Sequence, residues 1–194
     1  MTLFALDPEE TALVLIDLQQ GVVGRPCAPR SGPEVVQNAA RLAARFRVLG
    51  ATVVLVRVAF QADFKDALNL PADAPSSFNP RALPPGWADL VPALGPQPGD
   101  LIIIKRQWGA FHGTELDLQL RRRGVRTIVL GGISTNIGVE STARSAYEHG
   151  YAQILVEDAM AGGSAAMHEF AVKNIFPRLG RVRSTDEVLA ALTS

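Results

Sequence analysis

Short apolar segments alternate along this chain with segments in which apolar residues recur at helical spacing. Runs rich in branched apolar side chains predict strands at residues 11–17, 51–58, 101–105, 126–132 and 151–158, with a weaker one at 179–183. Helical periodicity predicts helices at about 35–49, 114–123, 135–149 and 164–176, and capping-box spacing of Ser184 and Glu187 predicts a last one. Apolar strands alternating with helices are typical of a parallel sheet covered on both faces. We therefore predict a Rossmann-like three-layer α/β/α sandwich with a central parallel sheet.

Residues 59–99 interrupt this alternation. The segment is rich in Pro, Ala and Asp and is far longer than an ordinary connection between two elements. Two interpretations stay open, a functional loop or lid and a partly disordered excursion. The whole length of 194 residues fits one compact domain, so we expect a single domain over 1–194.

Charge and composition indicate which partners and which cellular setting to expect. The formal net charge is zero, which gives no general attraction to nucleic acid or to acidic membranes, and neither partner is expected. No apolar stretch approaches the roughly 20 residues of a membrane span, and no signal peptide is evident. Cys27 is the only cysteine, which favours a reducing, cytoplasmic setting. A reactive thiol at Cys27 is the less favoured interpretation, because no histidine is near it in sequence.

Three notable positions follow predicted strands. Asp17 ends the first strand, Lys105 ends the third, and the glycine-containing turn 131–138 follows the fourth. Ligands of parallel α/β sheets bind beyond the carboxyl ends of the strands, and all three positions would lie at that edge. Each has a structural alternative, namely a cap, a snorkelling side chain and a tight turn. Their shared edge favours a functional site.

The segments around these positions resemble the isochorismatase-like hydrolase family, which includes nicotinamidases, N-carbamoyl amidases and isochorismatases. The resemblance rests on "ALVLIDLQ" at 12–19 and on the continuous block 105–162, which contains "GGISTNIGVESTARSAYEHG". It implies a single α/β/α sandwich, a small-molecule substrate and a homo-oligomer of two or more subunits. The fold implied by the resemblance agrees with the one predicted from the hydrophobic pattern.

The amidase branch of that family uses an Asp, a Lys and a Cys. Asp17 and Lys105 match the first two, whereas Gly138 stands where the branch has its nucleophilic cysteine. The resemblance also implies a cis peptide bond between Ile133 and Ser134, which would orient backbone N–H groups into an oxyanion-type site. The thiol mechanism cannot be carried over to this chain, because Gly138 has no side chain.

The isochorismatase branch is similar to this sequence in lacking the cysteine. That branch cleaves a vinyl ether, and its reaction can begin with protonation of the enol carbon by a carboxylic acid, after which water attacks. Asp17 is therefore predicted to be a general acid, with its pKa raised by burial. Lys105 would oppose this role unless it pairs mainly with a substrate carboxylate. Backbone N–H groups around Ser134 and Gly138 would hold an anionic part of the substrate.

Other candidates for substrate binding are less specific. The set consists of Gln19, Ile133, Ser134, Trp108, Phe111 and Phe60. Gln19 matches the family's D-x-Q and is expected to orient the loop rather than react. Trp108 and Phe111 follow Lys105 and could wall an apolar pocket, although core packing is an equal alternative.

Neither a metal nor another cofactor is expected. The metal-binding amidases of the family carry an Asp-x-His element in the second loop, and here Asp63 and Asp66 have no histidine beside them. His112, His149 and His168 show no ligand spacing.

Three functional hypotheses follow. The favoured one is a hydrolase of isochorismate or a related enol ether. The second is a hydrolase that cleaves an amide or another small substrate with water activated by Asp17. The third is a catalytically silent binding protein, which loss of the thiol from an amidase ancestor would produce.

Overall fold

The structure is a computed structural model that describes residues 5–74 and 79–192. Six parallel strands form one sheet in this part of the chain, in the order β3-β2-β1-β4-β5-β6. The strands are β1 (Thr11–Ile16), β2 (Thr52–Val58), β3 (Leu101–Lys105), β4 (Thr127–Ile133), β5 (Ala152–Ala161) and β6 (Arg181–Arg183). Helices cover both faces of the sheet, so the predicted α/β/α sandwich is confirmed.

The central strand explains why its sequence reads as an unbroken apolar run. All six residues of β1 are buried, since β2 and β4 flank it and helices cover it above and below. Leu13 and Leu15 belong to one hydrophobic core, and Val14 and Ile16 belong to the core on the opposite face. Successive side chains of a strand point to opposite faces, so a strand between two cores must be apolar at every position.

The helices are α1 (Gln20–Val23), α2 (Gly32–Val48), α3 (Leu116–Arg122), α4 (Glu140–Glu148), α5 (Ala165–Phe170), α6 (Phe176–Leu179) and α7 (Thr185–Ala191). The capping box at Ser184 and Glu187 is present at the start of α7. The single turn α1 was not predicted from the sequence. No helix of the described residues is both long and apolar enough to cross a membrane.

Two predicted helices contain π-helical turns. Thr135–Val139 precedes α4, and Ala171–Ile175 separates α5 from α6. The prediction of one helix over 164–176 was therefore incomplete at its end. Pro177 has no N–H to donate to the carbonyl four residues earlier, so the α-helical ladder cannot run through it, and α6 begins as a new turn.

The long connection between β2 and β3 packs on the body of the protein over much of its length. Trp87 and Leu94 are buried, and Leu90 pairs with Gln19 through an isolated bridge. Short 3₁₀ turns occur at Pro80–Ala82 and Pro92–Leu94. The prediction of a lid or a partly disordered excursion also covers residues 75–78, which lie outside the described residues.

The strand order places a crevice beside β1. The chain leaves β1 towards β2 and β3 on one side, and it later adds β4 on the other side. Such a switch point is where open parallel sheets bind ligands. β1 and β4 approach each other closely at this switch point. A Cβ atom on Gly132 would lie only 2.1 Å from the carbonyl oxygen of Ile16.

Replacing Gly132 tests this close approach. Gly132 has φ +124°, so Gly132→Ala combines backbone strain with a clash against Ile16, and we expect a loss of at least about 3 kcal/mol in the free energy of unfolding. Gly150→Ala is the matched control: φ is +80° and open space surrounds the Cβ position, so about 1 kcal/mol should be lost. Urea denaturation measures both, and equal losses would contradict the assignment.

Candidate active site

Asp17 and Lys105 form a buried ion pair at the carboxyl edge of the sheet. Asp17 follows β1 with φ 54°, and its N–H donates to the carbonyl of Val56 in β2. Lys105 ends β3, two strands away from β1, and its long side chain passes the end of β2. The Lys105 Nζ lies 2.7 Å from Asp17 Oδ2, and the two residues are 2% and 7% exposed.

All three N–H donors of the Lys105 ammonium have acceptors within the protein. Besides Asp17, Nζ donates to the carbonyls of Gln107 at 3.1 Å and Trp108 at 2.9 Å. A lysine has three N–H donors, so none is left for a ligand. The condition under which Lys105 would not oppose an acid role of Asp17, pairing mainly with a substrate carboxylate, is thus not favoured by these contacts: the loop after β3 folds back and supplies two oxygen acceptors to the ammonium.

One oxygen of Asp17 is left open. Oδ2 accepts from Lys105, whereas Oδ1 is buried without a hydrogen-bond partner among the described residues. Burial raises the pKa of Asp17 from 3.8 to about 6, although the charge and hydrogen bond of Lys105 act in the opposite direction. A carboxyl with such a pKa can both give and take a proton near neutral pH.

Gly138 lies directly beside this carboxyl. A Cβ atom at position 138 would be 3.3 Å from Asp17 Oδ2, 3.4 Å from the Trp108 carbonyl oxygen and 3.1 Å from Ile16 Cγ2. A side chain here would therefore press on the ion pair and its surroundings. Gly138, which the resemblance matches to the cysteine position, thus lies beside Asp17 and allows the close packing around it.

The turn that carries Gly138 begins at a cis peptide bond. The Ile133–Ser134 bond is cis, as the resemblance implied. The N–H groups of Ile137 and Val139 both donate to the Ser134 carbonyl and hold the turn in shape. The side chain of Ile133 is buried in the hydrophobic core, so this residue can contribute only its peptide group to a site.

Thr142 is a site residue that the sequence interpretation missed. This buried threonine on α4 donates from Oγ1 to the Gly138 carbonyl at 2.7 Å and accepts from the Ala110 N–H at 3.1 Å. One hydroxyl thus ties the turn to the loop after β3. A polar residue on the inward face of a predicted helix was the signal that could have identified it.

Thr135 and His168 form a second contact that was not foreseen. The Thr135 hydroxyl and His168 Nδ1 are 2.8 Å apart, and both side chains are buried. Burial lowers the pKa of His168, and the charge of Arg30 lowers it further, while Glu169 acts in the opposite direction. A neutral His168 on α5 therefore anchors the residue that follows Ser134.

Gln19 is buried and binds only backbone groups of the protein among the described residues. Its Nε2 donates to the carbonyls of Val58 and Trp87, and its Oε1 accepts from the Val58 N–H at 2.8 Å. These bonds favour a positioning role, and direct contact between Gln19 and a substrate stays a prediction. The Gln19 amide joins β2 and the long connection to the end of β1, which is the loop-orienting role that the sequence also suggested.

The three candidate aromatic residues lie in different environments. Trp108 is 66% exposed, and its carbonyl belongs to the Lys105 contact. Phe60 is half-buried after β2. Phe111 is buried in the core and stacks on Tyr151 with ring centroids 5.9 Å apart. Because Tyr151 precedes β5, at the amino edge of the sheet, Phe111 is a packing residue rather than a pocket wall.

Two further expectations concern thiol and metal chemistry. Burial raises the pKa of the Cys27 thiol, whose Sγ donates to the carbonyl of Arg25. This is the reverse of the shift that activates a cysteine. Within residues 5–74 and 79–192, no three His, Cys, Asp or Glu side chains are grouped as a metal site would require. The absence of a metal or cofactor remains a prediction.

The chain is similar over nearly its whole length to proteins of one family. Residues 11–187 match the Isochorismatase domain. The isochorismatase family protein YecD of Escherichia coli O157:H7 is 52% identical, over 96% of this chain and 98% of its own. A solved isochorismatase family protein from Burkholderia thailandensis has a TM-score of 0.94 at 48% identity and covers 100% of both chains. The ureidoacrylate amidohydrolase RutB of Methylorubrum extorquens is 33% identical, over 98% of this chain and 86% of its own.

Replacing Lys105 tests the buried ion pair. Lys105→Met leaves the Asp17 carboxylate without its cation, and we expect a loss of about 3–5 kcal/mol in the free energy of unfolding at pH 8. The pKa of Asp17, already raised to about 6, rises further without the ammonium. When a group has a higher pKa in the folded than in the unfolded state, its protonation stabilises the fold at low pH. This stabilisation is lost as the pH rises through the folded-state pKa. Lys105→Met should therefore lower the free energy of unfolding by less at pH 5 than at pH 8.

The double variant Lys105→Met/Asp17→Asn is the control for this titration. Without an ionisable group at position 17, the free energy of unfolding of the double variant should vary much less between pH 5 and pH 8 than that of Lys105→Met. Urea denaturation at both values measures the difference. A Lys105→Met deficit independent of pH would show that the carboxyl of Asp17 is not the group left uncompensated.

Proposed function

Because the chain belongs to the isochorismatase family, a family of hydrolases, we propose that it hydrolyses the vinyl ether of isochorismate or a closely related enol ether. The products are pyruvate and a dihydroxylated cyclohexadiene acid. One observation carries the proposal: among the described residues, an oxygen of the buried Asp17 carboxyl has no hydrogen-bond partner, and the carboxyl lies beside Gly138. The resemblance matches Gly138 to the nucleophile position of the amidase branch. An enol ether needs an acid and water, and it needs no covalent nucleophile.

The reaction begins with transfer of the Asp17 proton to the terminal enol carbon. The carbon–carbon double bond supplies the electron pair of the new C–H bond, and the ether carbon becomes an oxocarbenium ion. Water attacks that carbon to give a hemiketal, which collapses into pyruvate and the ring alcohol. The proton released from the attacking water returns to the Asp17 carboxylate, so the residue ends in its initial state.

Lys105 tunes this acid and does not bind the substrate. Since its ammonium donates to Oδ2, the transferable proton belongs on Oδ1, the oxygen for which the described part of the chain offers no partner. With the pKa raised to about 6 by burial, roughly a tenth of the molecules carry that proton at pH 7. When the proton leaves, the ammonium stabilises the carboxylate that forms, so the same contact assists the transfer.

The substrate carboxylates require other donors, because Lys105 has none to offer. Backbone N–H groups around Ser134 and Gly138 are the proposed site for one of them. Trp108 and Phe60 are the proposed apolar neighbours of the ring. Thr142 and Thr135 position the turn that carries these peptide groups, through their bonds to Gly138 and His168.

Amide hydrolysis is the second candidate, and the similarity to a ureidoacrylate amidohydrolase favours it. In this reaction the ionised Asp17 would take a proton from water, since Gly138 offers no thiol. The two mechanisms require opposite protonation states of one carboxyl. Their pH dependences therefore differ in sign, with the acid mechanism losing rate above the pKa and the base mechanism losing rate below it.

Pyruvate release from isochorismate tests the leading proposal. The wild type should release pyruvate, and Asp17→Asn should lower kcat by about 10²–10⁴-fold, the usual contribution of one general acid. The rate should fall as the pH rises through the Asp17 pKa of about 6. Asp63→Asn, at an exposed aspartate that pairs with Lys65, is the control and should retain the wild-type rate. An Asp17→Asn variant of full activity would exclude the general-acid role.

Substitutions at position 138 separate the two candidate reactions. Gly138→Ala and Gly138→Cys both place a Cβ atom 3.3 Å from Asp17 Oδ2, so we expect both to lose pyruvate release to a similar extent. If the protein hydrolyses amides, the two variants should differ. Gly138→Cys, unlike Gly138→Ala, should form an acyl-enzyme with amide substrates, because only the cysteine supplies a nucleophilic thiol. Intact-mass spectrometry detects that adduct. Ligand binding by the wild type without turnover of any enol ether or amide would favour the silent binding protein.

A further inference from the structure

The two edges of the sheet differ in their side chains. At one edge, β6 carries Arg181 and Arg183 on a strand of three residues. At the other edge, β3 reads Leu-Ile-Ile-Ile-Lys, and Ile102 and Ile104 are 41% and 36% exposed. The charge at the end of β3 is Lys105, which points inwards to Asp17. Short, charged edge strands resist pairing with another chain, whereas an exposed apolar edge strand is a template for it.

The backbone of β3 also faces outwards at these two isoleucines. The Lys105 carbonyl accepts from the Ala59 N–H, so residues 101, 103 and 105 turn their peptide groups towards β2. Peptide groups alternate in direction along a strand, and those of Ile102 and Ile104 therefore point away from the sheet. Among the described residues, the Arg106 guanidinium donates to the Ile104 carbonyl, which has a second lone pair to offer.

We propose that two copies of this chain pair antiparallel through β3 across a two-fold axis at Ile103. In that register Ile102 lies opposite Ile104 of the second copy, and each such pair exchanges both N–H···O bonds. The four isoleucines come to lie on one face, where each covers its neighbours. The two six-stranded sheets become one continuous sheet.

The charges at the two ends of β3 match this register. Asp100 precedes the strand and Arg106 follows it, so antiparallel pairing places Asp100 near Arg106 of the second copy. Each already has a partner of opposite charge within its own chain: Arg47 for Asp100 at 2.7 Å, and Asp66 for Arg106 at 3.0 Å. Pairing joins these ion pairs into networks, whereas a parallel arrangement would place like charges side by side.

A five-residue strand alone buries less surface than the roughly 800 Å² per partner of a stable interface. The ion pair between Asp66 and Arg106 fastens the connection after β2 to the end of β3. That connection carries the exposed side chains of Leu68 and Leu70, and Trp108 follows β3 with its indole exposed. These apolar groups extend the surface around β3. The proposal does not depend on the reaction that the site catalyses.

Charge pairs introduced on β3 test both the partner and the register. Ile102→Lys/Ile104→Lys places like charges opposite each other in the dimer, whereas Ile102→Lys/Ile104→Glu places a lysine opposite a glutamate in both pairs. Val48→Lys, at a residue that is 77% exposed at the end of α2, is the control. Sedimentation velocity at micromolar concentration should give a dimer for the wild type, the control and the Lys/Glu variant. The Lys/Lys variant should have half that mass.

Amide exchange on the wild type gives a second measurement, which does not require the variants to fold. The Ile102 and Ile104 amides should exchange at least about 10-fold more slowly at high than at low protein concentration, because pairing hydrogen-bonds them. A monomeric wild type, a Lys/Lys variant that remains dimeric, or a Lys/Glu variant that dissociates would each overturn the proposal. Rapid exchange of both amides in a dimeric wild type would overturn it as well.

Discussion

The buried contact between Asp17 and Lys105 is the interaction on which the rest of the site depends. Two charges removed from water are tolerated only when each compensates the other and the remaining hydrogen-bonding groups find partners. Lys105 meets this requirement with Asp17 and two carbonyls of the loop that follows its own strand. The contact therefore joins β1 to β3 across β2, and it also fixes the loop that faces Gly138. Among the described residues, it leaves one oxygen of Asp17 without a hydrogen-bond partner, and the proposed chemistry rests on that oxygen.

Two opposing effects set the character of that oxygen. Burial raises the pKa of Asp17 and the ammonium lowers it, with a result of about 6. A stronger effect of Lys105 would leave a permanent carboxylate, and a weaker one would leave a carboxylic acid that holds its proton too firmly at neutral pH. Gly138 has no side chain, and this leaves room for the carboxyl of Asp17, on which a side chain at position 138 would press. The residue at position 138 therefore decides how closely the turn can pack on the Asp17 carboxyl.

Hydrogen bonds outside the recognisable motif hold the site in shape. Thr142 connects the Gly138 turn to the loop after β3, His168 holds Thr135, and Gln19 joins the end of β1 to β2 and the long connection. Each of these side chains is buried and binds across many positions of sequence. Their role is to keep peptide groups in place, so replacing one of them disturbs several loops together. The shape of the site is in this sense a property of the whole carboxyl edge.

The sequence by itself determined the layers of the fold and the edge at which the site lies. Strands with a core on each face must be apolar throughout, as β1 is, and parallel strands bring their ends to one edge, so the hydrophobic pattern alone was enough to group Asp17, Lys105 and Gly138. Only the tertiary structure decided their contacts. Lys105 binds carbonyls rather than a ligand because its loop folds back, and Phe111 packs towards Tyr151 because that loop then turns to the amino edge. The hydrophobic periodicity of a segment, and hence which of its residues are buried, can be read from neighbouring residues in the sequence. The hydrogen-bond partner of a polar side chain depends instead on which distant loops fold over it.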